Sequence, residues 1–412
     1  MDYLEKHTFY SKKIVKKPEH DLGIVVVIPA FCEPQLLKSL ISLKNCIKPQ
    51  CSVEVIVVVN HSIDAQEPIR KETQKMITQV KEWIDTNQDK RLDFKIIIAC
   101  DLPSKFAGVG LARKIGMDEA VRRFLITKNN KGIICCFDAD STCDTNYFTA
   151  IEYHFKINPK TMACSIYFEH PLSGDEFTHE VYEGILNYEL HLRYYIAGLR
   201  FAGHPFAYHT IGSSMAVRTD VYQKQGGMNK RKAGEDFYFL HKIIPLGAFT
   251  ELNATRIIPS PRSSTRVPFG TGRAINSWIE NKTEYFLTYN PKVFQEMKFF
   301  LEHVDGLYTS TTFQEFSDPI VAFLMDSNFK DKVYEIRENS KDLNSFRKRF
   351  YTWFDGFRAL KFVHFMRDNY FSNIELHAAS QNLLEQIHKK EFSKLELEKM
   401  IIKYRKLDIK GK

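Results

Sequence analysis

The first third of the chain alternates two kinds of apolar pattern. Ile24–Ile28 (IVVVI), Val53–Val59 (VEVIVVV), Phe94–Cys100 (FKIIIAC) and Ile133–Phe137 (IICCF) are runs of strand length, apolar at nearly every position. A half-exposed strand would alternate and a helix would be longer, so these runs predict parallel strands buried on both faces. Between them the apolar period changes. Leu36, Leu37, Leu40, Ile41 and Leu43 predict a helix with Pro34 in its first turn. A more polar helix is predicted to about Asp85, and a third from Gly108 to about Ile126. Pro29 is expected to break the first strand. Strands alternating with helices predict an α/β fold, a mainly parallel sheet flanked by helices.

The second half is less regular. Thr161–Phe168 reads as a further strand and Phe177–Leu199 as a long helix, on which His179, Glu183, Asn187 and His191 recur every four residues. Such a stripe suits a cleft facing a polar acceptor or, more simply, a solvated helix face. Gly212 to Arg218 (GSSMAVR) is a small-residue turn entering a strand, Gly226-Gly227-Met228 is a flexible loop, and Ala233-Gly234-Glu235-Asp236 opens a helix. Pro259–Gly272, which carries Arg262 and Arg266, reads as a mobile loop. Beyond about Pro291 glycine nearly vanishes and Phe346, Phe350, Trp353, Phe354, Phe357 and Leu360 follow helical spacing, with Gly356 as a kink or boundary. These aromatics predict a helical C-terminal region whose apolar face packs in a core and against the sheet rather than on a membrane. The expected organisation is a basic leader over 1–22, an α/β domain over 23–285 with halves 23–145 and 146–285, and a helical region over 286–412.

Composition narrows the class. At 412 residues the chain can bury a large core. No stretch approaches the ~20 consecutive apolar residues of a membrane span, and the charged N-terminus lacks a signal-peptide core. The expected location is cytoplasmic, with peripheral contact at the inner face of the membrane left open. All eight cysteines lie in the first 164 residues without a C-x-x-C pair, which predicts free thiols. A net charge of +8, not gathered into one tract, admits an anionic substrate and does not call for nucleic acid.

The chemistry sits at the strand ends, where open α/β sheets place their ligands. The run Ile133–Phe137 ends in Asp138-Ala139-Asp140, an Asp-x-Asp motif. Two carboxylates there suit Mg²⁺ or Mn²⁺, or merely end the strand in a turn. Pro29-Ala30-Phe31-Cys32-Glu33, Gly108-Val109-Gly110-Leu111-Ala112-Arg113 and Asp138-Ala139-Asp140, followed by Gly212-Ser213-Ser214, Gly226-Gly227 and Glu235-Asp236, occur in the order and at about the spacing of the family 2 glycosyltransferases. The resemblance covers roughly residues 22–280.

That resemblance implies a GT-A fold, in which a nucleotide-binding α/β half merges with an acceptor half. The implied activity is inverting, hexosyltransferase-like transfer of a sugar from a nucleotide-sugar donor to a glycan, lipid-linked or small-molecule acceptor. It makes Asp138 and Asp140 ligands of a divalent cation on the donor diphosphate, Asp140 the more direct, with His241 as an outer candidate that is equally readable as a core histidine. Pro29 and Glu33 match the nucleoside-binding turn, although Glu33 also suits a helix N-terminus. Arg113 matches the arginine of an Ala-Arg-Asn segment, with Lys114 in place of Asn. Asn60 stands where the family has an Asp-Asp-x-Ser strand end that contacts the base. Ser213 and Ser214 would line the pocket floor, and Arg262 and Arg266 would close over the diphosphate or else stay solvated. Asp236, with Glu235 second, matches the general base, although acidic residues also favour a helix start on dipole grounds alone. Two other readings are a glycosyltransferase-like binding protein that has lost catalysis and a sugar nucleotidyltransferase. The absence of glycine after the first strand counts against the second.

Overall fold

A computed structural model describes residues 3–264, 270–281, 285–310 and 313–411. It divides into two compact units, Met1–Pro171 with Thr210–Arg273, and Leu172–His209 with Ala274–Lys412.

In the first unit the predicted apolar runs are strands β1 (Leu22–Ala30), β2 (Ser52–Ser62), β3 (Leu92–Leu102) and β4 (Ile133–Cys136). They are joined by β5 (Thr142–Cys143), β6 (Ala163–Phe168), β7 (Met215–Arg218) and β8 (Phe249–Ile258) in one sheet of order β3-β2-β1-β4-β7-β6-β8-β5. β1 pairs in parallel with β2 and β4, β2 with β3, and β6 with β8; β7 runs antiparallel to β4 and β6, and β5 to β8. The α/β class and the mainly parallel sheet are therefore as the apolar runs predicted. Pro29 does not break β1: the strand continues to Ala30, with Pro29 opposite Val58 on β2 and beyond Val27, where the pairing with β4 ends, so a proline there meets a neighbouring strand on one side. β8 was not anticipated. Only Phe249, Leu252, Thr255 and Ile257 of its ten residues are fully buried, so no continuous apolar run marks it.

The first unit contains helices α1 (Tyr3–His7), α2 (Leu36–Lys44), α3 (Glu67–Thr86), α4 (Val109–Ile126) and α5 (Tyr147–Ile157). α4 is buried nearly all round and lies so close to the sheet that a Cβ at Gly116 would sit 2.3 Å from Val27. A helix in that position must pair every charged side chain it carries. Arg123 bonds the Glu54 carboxylate through Nε at 2.7 Å. Glu119 accepts the backbone N–H groups of Lys13 and Ile14, each at 3.2 Å. Asp118 accepts the hydroxyls of Tyr3 and Tyr222, each at 2.8 Å, and pairs with Lys114 at 3.1 Å. The basic leader is thus fastened along α4.

The second unit is built around α6 (His179–Phe201) and seven longer helices between Pro291 and Lys410, the helical C-terminal region that was expected. Its core is aromatic. The Phe300 ring lies 5.4 Å from Phe354 and 5.8 Å from Phe350, edge to face, a geometry that adds to area burial. Phe346, Phe350, Trp353 and Phe354 are buried in this core, and Phe357 and Leu360 are half-buried. Gly356 is a helix boundary: Asp355 accepts the Arg358 N–H at 2.8 Å and caps the helix Gly356–Asn369. The polar stripe on α6 is not a uniformly solvated face, since His179 and Glu183 are exposed but Asn187 is buried and His191 bonds Thr288 at 2.7 Å. Among the described residues all eight cysteines are free thiols, and no helix is long and apolar enough to cross a membrane.

The final helix, Leu397–Lys410, is held to α6 by charge. Asp408 accepts from Arg193, from Arg200 at 2.8 Å and from His209 at 2.9 Å, while Glu189 accepts from Arg405 and Arg193 at 2.8 Å. Burial pushes the Asp408 carboxyl up, but His209, Arg193 and Arg200 together hold it well below the ordinary range. A folded-state pKa below the unfolded one means that the unfolded chain binds the extra proton as pH falls, so this stabilisation is present above about pH 4 and is lost below it. Asp408→Asn is expected to cost about 3–5 kcal/mol at pH 7, because it strands buried cations. In urea titrations the gap between variant and wild type should narrow from pH 4 to pH 2, and a gap that stays constant would refute the assignment.

Candidate active site

The site is assembled from seven segments of the first unit: the ends of β1, β2 and β4, the start of α4, the turn before β7, the start of α8 (Glu235–Ile243) and the loop after β8. Its centre is Arg113, whose side chain is 2% exposed. Arg113 Nη2 donates to Asp138 Oδ1 at 2.7 Å and Nη1 donates to Glu235 Oε1. One guanidinium therefore joins the Asp-Ala-Asp segment to the Glu-Asp pair nearly a hundred residues downstream.

Two glycines make room for this. A Cβ at Gly110 would lie 2.1 Å from the Arg231 carbonyl oxygen, so the segment leading into α8 can abut the first turn of α4 only because that position lacks a side chain. A Cβ at Gly212 would lie 2.6 Å from Arg113 Nη1 and 2.8 Å from Asp236 Oδ2. Gly212 thus lets Arg113 and Asp236 share one corner, with Ser213 and Ser214 buried beside it and their hydroxyls 3.4 Å apart.

The two acidic residues of α8 differ in environment. Glu235 is buried against Arg113, whereas Asp236 is half-buried and accepts the Phe237 N–H at 2.7 Å. Burial raises both carboxyls, against the opposing charge of Arg113. Asp140 is pushed up to about 6, first by burial and then by the charge of Asp138. Across the site, Arg262 reaches back from the loop after β8. Its Nε donates to Asp140 Oδ2 at 3.0 Å and its Nη2 donates to Glu33.

The remaining expected residues fall at and around this centre. Pro29 is at the end of β1, and Glu33 both accepts the Gln35 N–H at 3.1 Å, as a helix-start carboxylate does, and binds Arg262. Asn60 is buried and donates from Nδ2 to the Ala30 carbonyl at 3.0 Å, which ties the ends of β1 and β2 together. Lys114 turns away to Asp118 and Tyr3. His241 meets the Phe237 ring edge to face at 4.3 Å and burial lowers its pKa to about 4; its Nδ1 is buried without a hydrogen-bond partner among the described residues. Among those residues no group of three or more His, Cys, Asp or Glu side chains is arranged to hold a metal ion, so His241 does not complete a three-ligand cluster with Asp138 and Asp140. Arg266 and its neighbours from 265 to 269 lie outside the described residues.

Two ion pairs were missed in the sequence. A signal for one was there: Glu54 is a single charge inside VEVIVVV, and a carboxylate in a buried strand requires a cation, here Arg123. Arg262 lies 229 residues from Glu33 and 122 from Asp140, so its bridge between them has no local sign.

Residues 25–225, just under half of the chain, match the family model described as Glycosyl transferase family 2. The match lies on the sheet-bearing part of the protein, from within β1 through β7, and includes Arg113, Asp138 and Asp140, so this part is similar to the family 2 glycosyltransferases. No curated protein matches the chain. Among solved structures it is similar to TarS of S. aureus. The 1–349 fragment in complex with UDP-GlcNAc is 12% identical over 71% of this chain and 77% of that one, with a TM-score of 0.40. A second crystal structure of the 1–349 fragment is 13% identical over 81% of this chain and 92% of that one, with a TM-score of 0.39.

Gly212→Ala tests the corner directly. The added methyl is expected to displace Arg113 and Asp236 and to lower transferase activity by about two orders of magnitude, on the scale of misplaced catalytic groups. A folded variant with full activity would show that the close approach is dispensable.

Proposed function

We propose that the protein transfers a sugar from a nucleotide-sugar donor to an acceptor hydroxyl with inversion at the anomeric carbon, using a divalent cation at Asp138 and Asp140 and Asp236 as general base. The observation that carries this reading is the convergence on Arg113 of Asp138 and Glu235, with Asp236 in the same corner, where Arg113 and Asp138 lie within the residues that match the family 2 model. Pro29, Glu33, Asn60, Arg113, Asp138, Ser213, Ser214 and Arg262 are the proposed donor-side residues.

The carboxylates fit a hard cation. Mg²⁺ and Mn²⁺ need only one or two carboxylates when substrate phosphates fill the other positions, and Asp140 already draws one cation, the Arg262 guanidinium, to 3.0 Å. When bound, such an ion supplies Lewis-acid stabilisation of the departing nucleoside diphosphate. The chain's own groups do the rest. Arg113 fixes Asp138 and engages Glu235, which leaves Asp236 as the carboxylate with capacity to take the acceptor's proton. Burial raises Asp236 above the ordinary aspartate range and makes its carboxylate a stronger base than one in water.

A screen of UDP-, GDP- and dTDP-sugars for donor hydrolysis and transfer, with and without Mn²⁺, tests the reading. Asp140→Ala is expected to weaken metal-dependent donor binding at least about tenfold. Asp236→Asn should spare binding and slow transfer by about 10²–10⁴-fold. Equal activity in all three proteins would remove both roles. The base must be ionised to act, so kcat/KM should rise with pH through a midpoint above the ordinary aspartate pKa of about 3.9. Asp236→Asn should lose that acid limb, and a variant that kept it would exclude Asp236 as the titrating base.

A further inference from the structure

Arg262 occupies the carboxylate that the proposed cation needs. Its Nε and Nη2 both lie 3.0 Å from Asp140 Oδ2, and Nη2 also donates to Glu33, whose side chain is only 3% exposed. The guanidinium thus spans two strand ends, those of β1 and β4, from a loop that follows a third, β8. A planar guanidinium held between two carboxylates is a strong local counter-ion, and a divalent ion on Asp140 Oδ2 would have to share or displace it. Arg262 is itself about one-fifth exposed, so it can leave without opening the core. Arg113 is different, because its side chain is sealed between Asp138 and Glu235.

We propose that Arg262 is an exchangeable positioning residue. In the donor-free protein it holds Asp140 and Glu33, and when a diphosphate enters it passes Asp140 to the divalent cation and takes the diphosphate as its new partner. This deepens the transferase reading and rests on it. The consequence is coupling: cation and diphosphate each bind weakly alone, because each must compete with or forgo Arg262, and together they bind tightly. Linkage requires the coupling to be reciprocal, the same factor whichever ligand is added first.

The test is calorimetric titration of Mn²⁺ alone, of inorganic pyrophosphate alone, and of Mn²⁺ with pyrophosphate present, corrected for their association in solution. Pyrophosphate carries the diphosphate chemistry without choosing a base. Wild type, Arg262→Ala, Arg262→Lys and Asp140→Ala are compared, each checked for folding by thermal melting. Arg262→Ala should bind Mn²⁺ alone about tenfold more tightly than wild type, bind pyrophosphate more weakly, and show a coupling factor close to one. Arg262→Lys, a point charge that cannot bridge two carboxylates, should fall between them. Unchanged or weaker Mn²⁺ binding by folded Arg262→Ala would overturn the exchange and leave Arg262 as a simple phosphate ligand or loop anchor. If Mn²⁺ binding in the presence of pyrophosphate is the same in wild type and Asp140→Ala, the cation site itself is wrong and the transferase reading loses its metal. A site that depends on Asp140, with coupling unchanged in Arg262→Ala, sinks the exchange alone.

Discussion

Burying a guanidinium costs several kcal/mol unless anions meet it at hydrogen-bonding distance. Arg113 is the point at which the first unit accepts that cost. It sits on a helix buried nearly all round, and among the described residues the carboxylates that bond it come from the end of β4 and the start of α8. The requirement to neutralise one charge therefore fixes how two distant stretches of chain meet. Residues that have no chemistry of their own follow from this, notably Gly110 and Gly212, whose missing side chains let backbone and carboxylate come within reach.

The same constraint explains why α4 is so rich in charge for a buried helix. Arg123 with Glu54, Lys114 with Asp118 and Glu119 with the leader backbone are separate solutions to one problem. Together they clamp the helix to the sheet and to the N-terminal segment, so that Arg113 is presented from a rigid element. Rigid presentation matters for catalysis, because a misplacement of about 1 Å can cost about a hundredfold in rate. The second unit uses charge differently, to fasten the last helix to α6 through Glu189 and Asp408, around an otherwise aromatic core.

The site contrasts two kinds of arginine. Arg113 is enclosed and permanent, whereas Arg262 is half-buried on a loop and bound to carboxylates that have another candidate partner. On the proposed reading, a site that receives a diphosphate leaving group and a divalent ion needs charge that is balanced before they arrive. An enclosed arginine and a partly exposed one would supply that balance in different ways. Asp140 is raised by burial and by the charge of Asp138, with Arg262 opposing them.

Much was legible from composition and order alone. Continuous apolar runs favour strands covered on both faces, so β1, β2 and β4 and the α/β class follow from hydrophobicity, whereas β3, at the sheet edge, is only partly covered and leaves Ile98 exposed; Asp138 and Asp140 were visible as polar residues at the end of one such run, and Glu235 and Asp236 as the start of a helix. β8 was not legible, because its burial is set by the partners β6 and β5 rather than by its own pattern. Nor was the division of labour among charges. Whether Lys114 faces a donor or Asp118, whether Asn60 reads a base edge or ties Ala30, and which carboxylates Arg113 and Arg262 bridge all depend on pairings between residues tens to hundreds apart. Local physics dictates which segments are buried. The energy of a buried charge depends on its partner, and the partner is supplied by the folded chain.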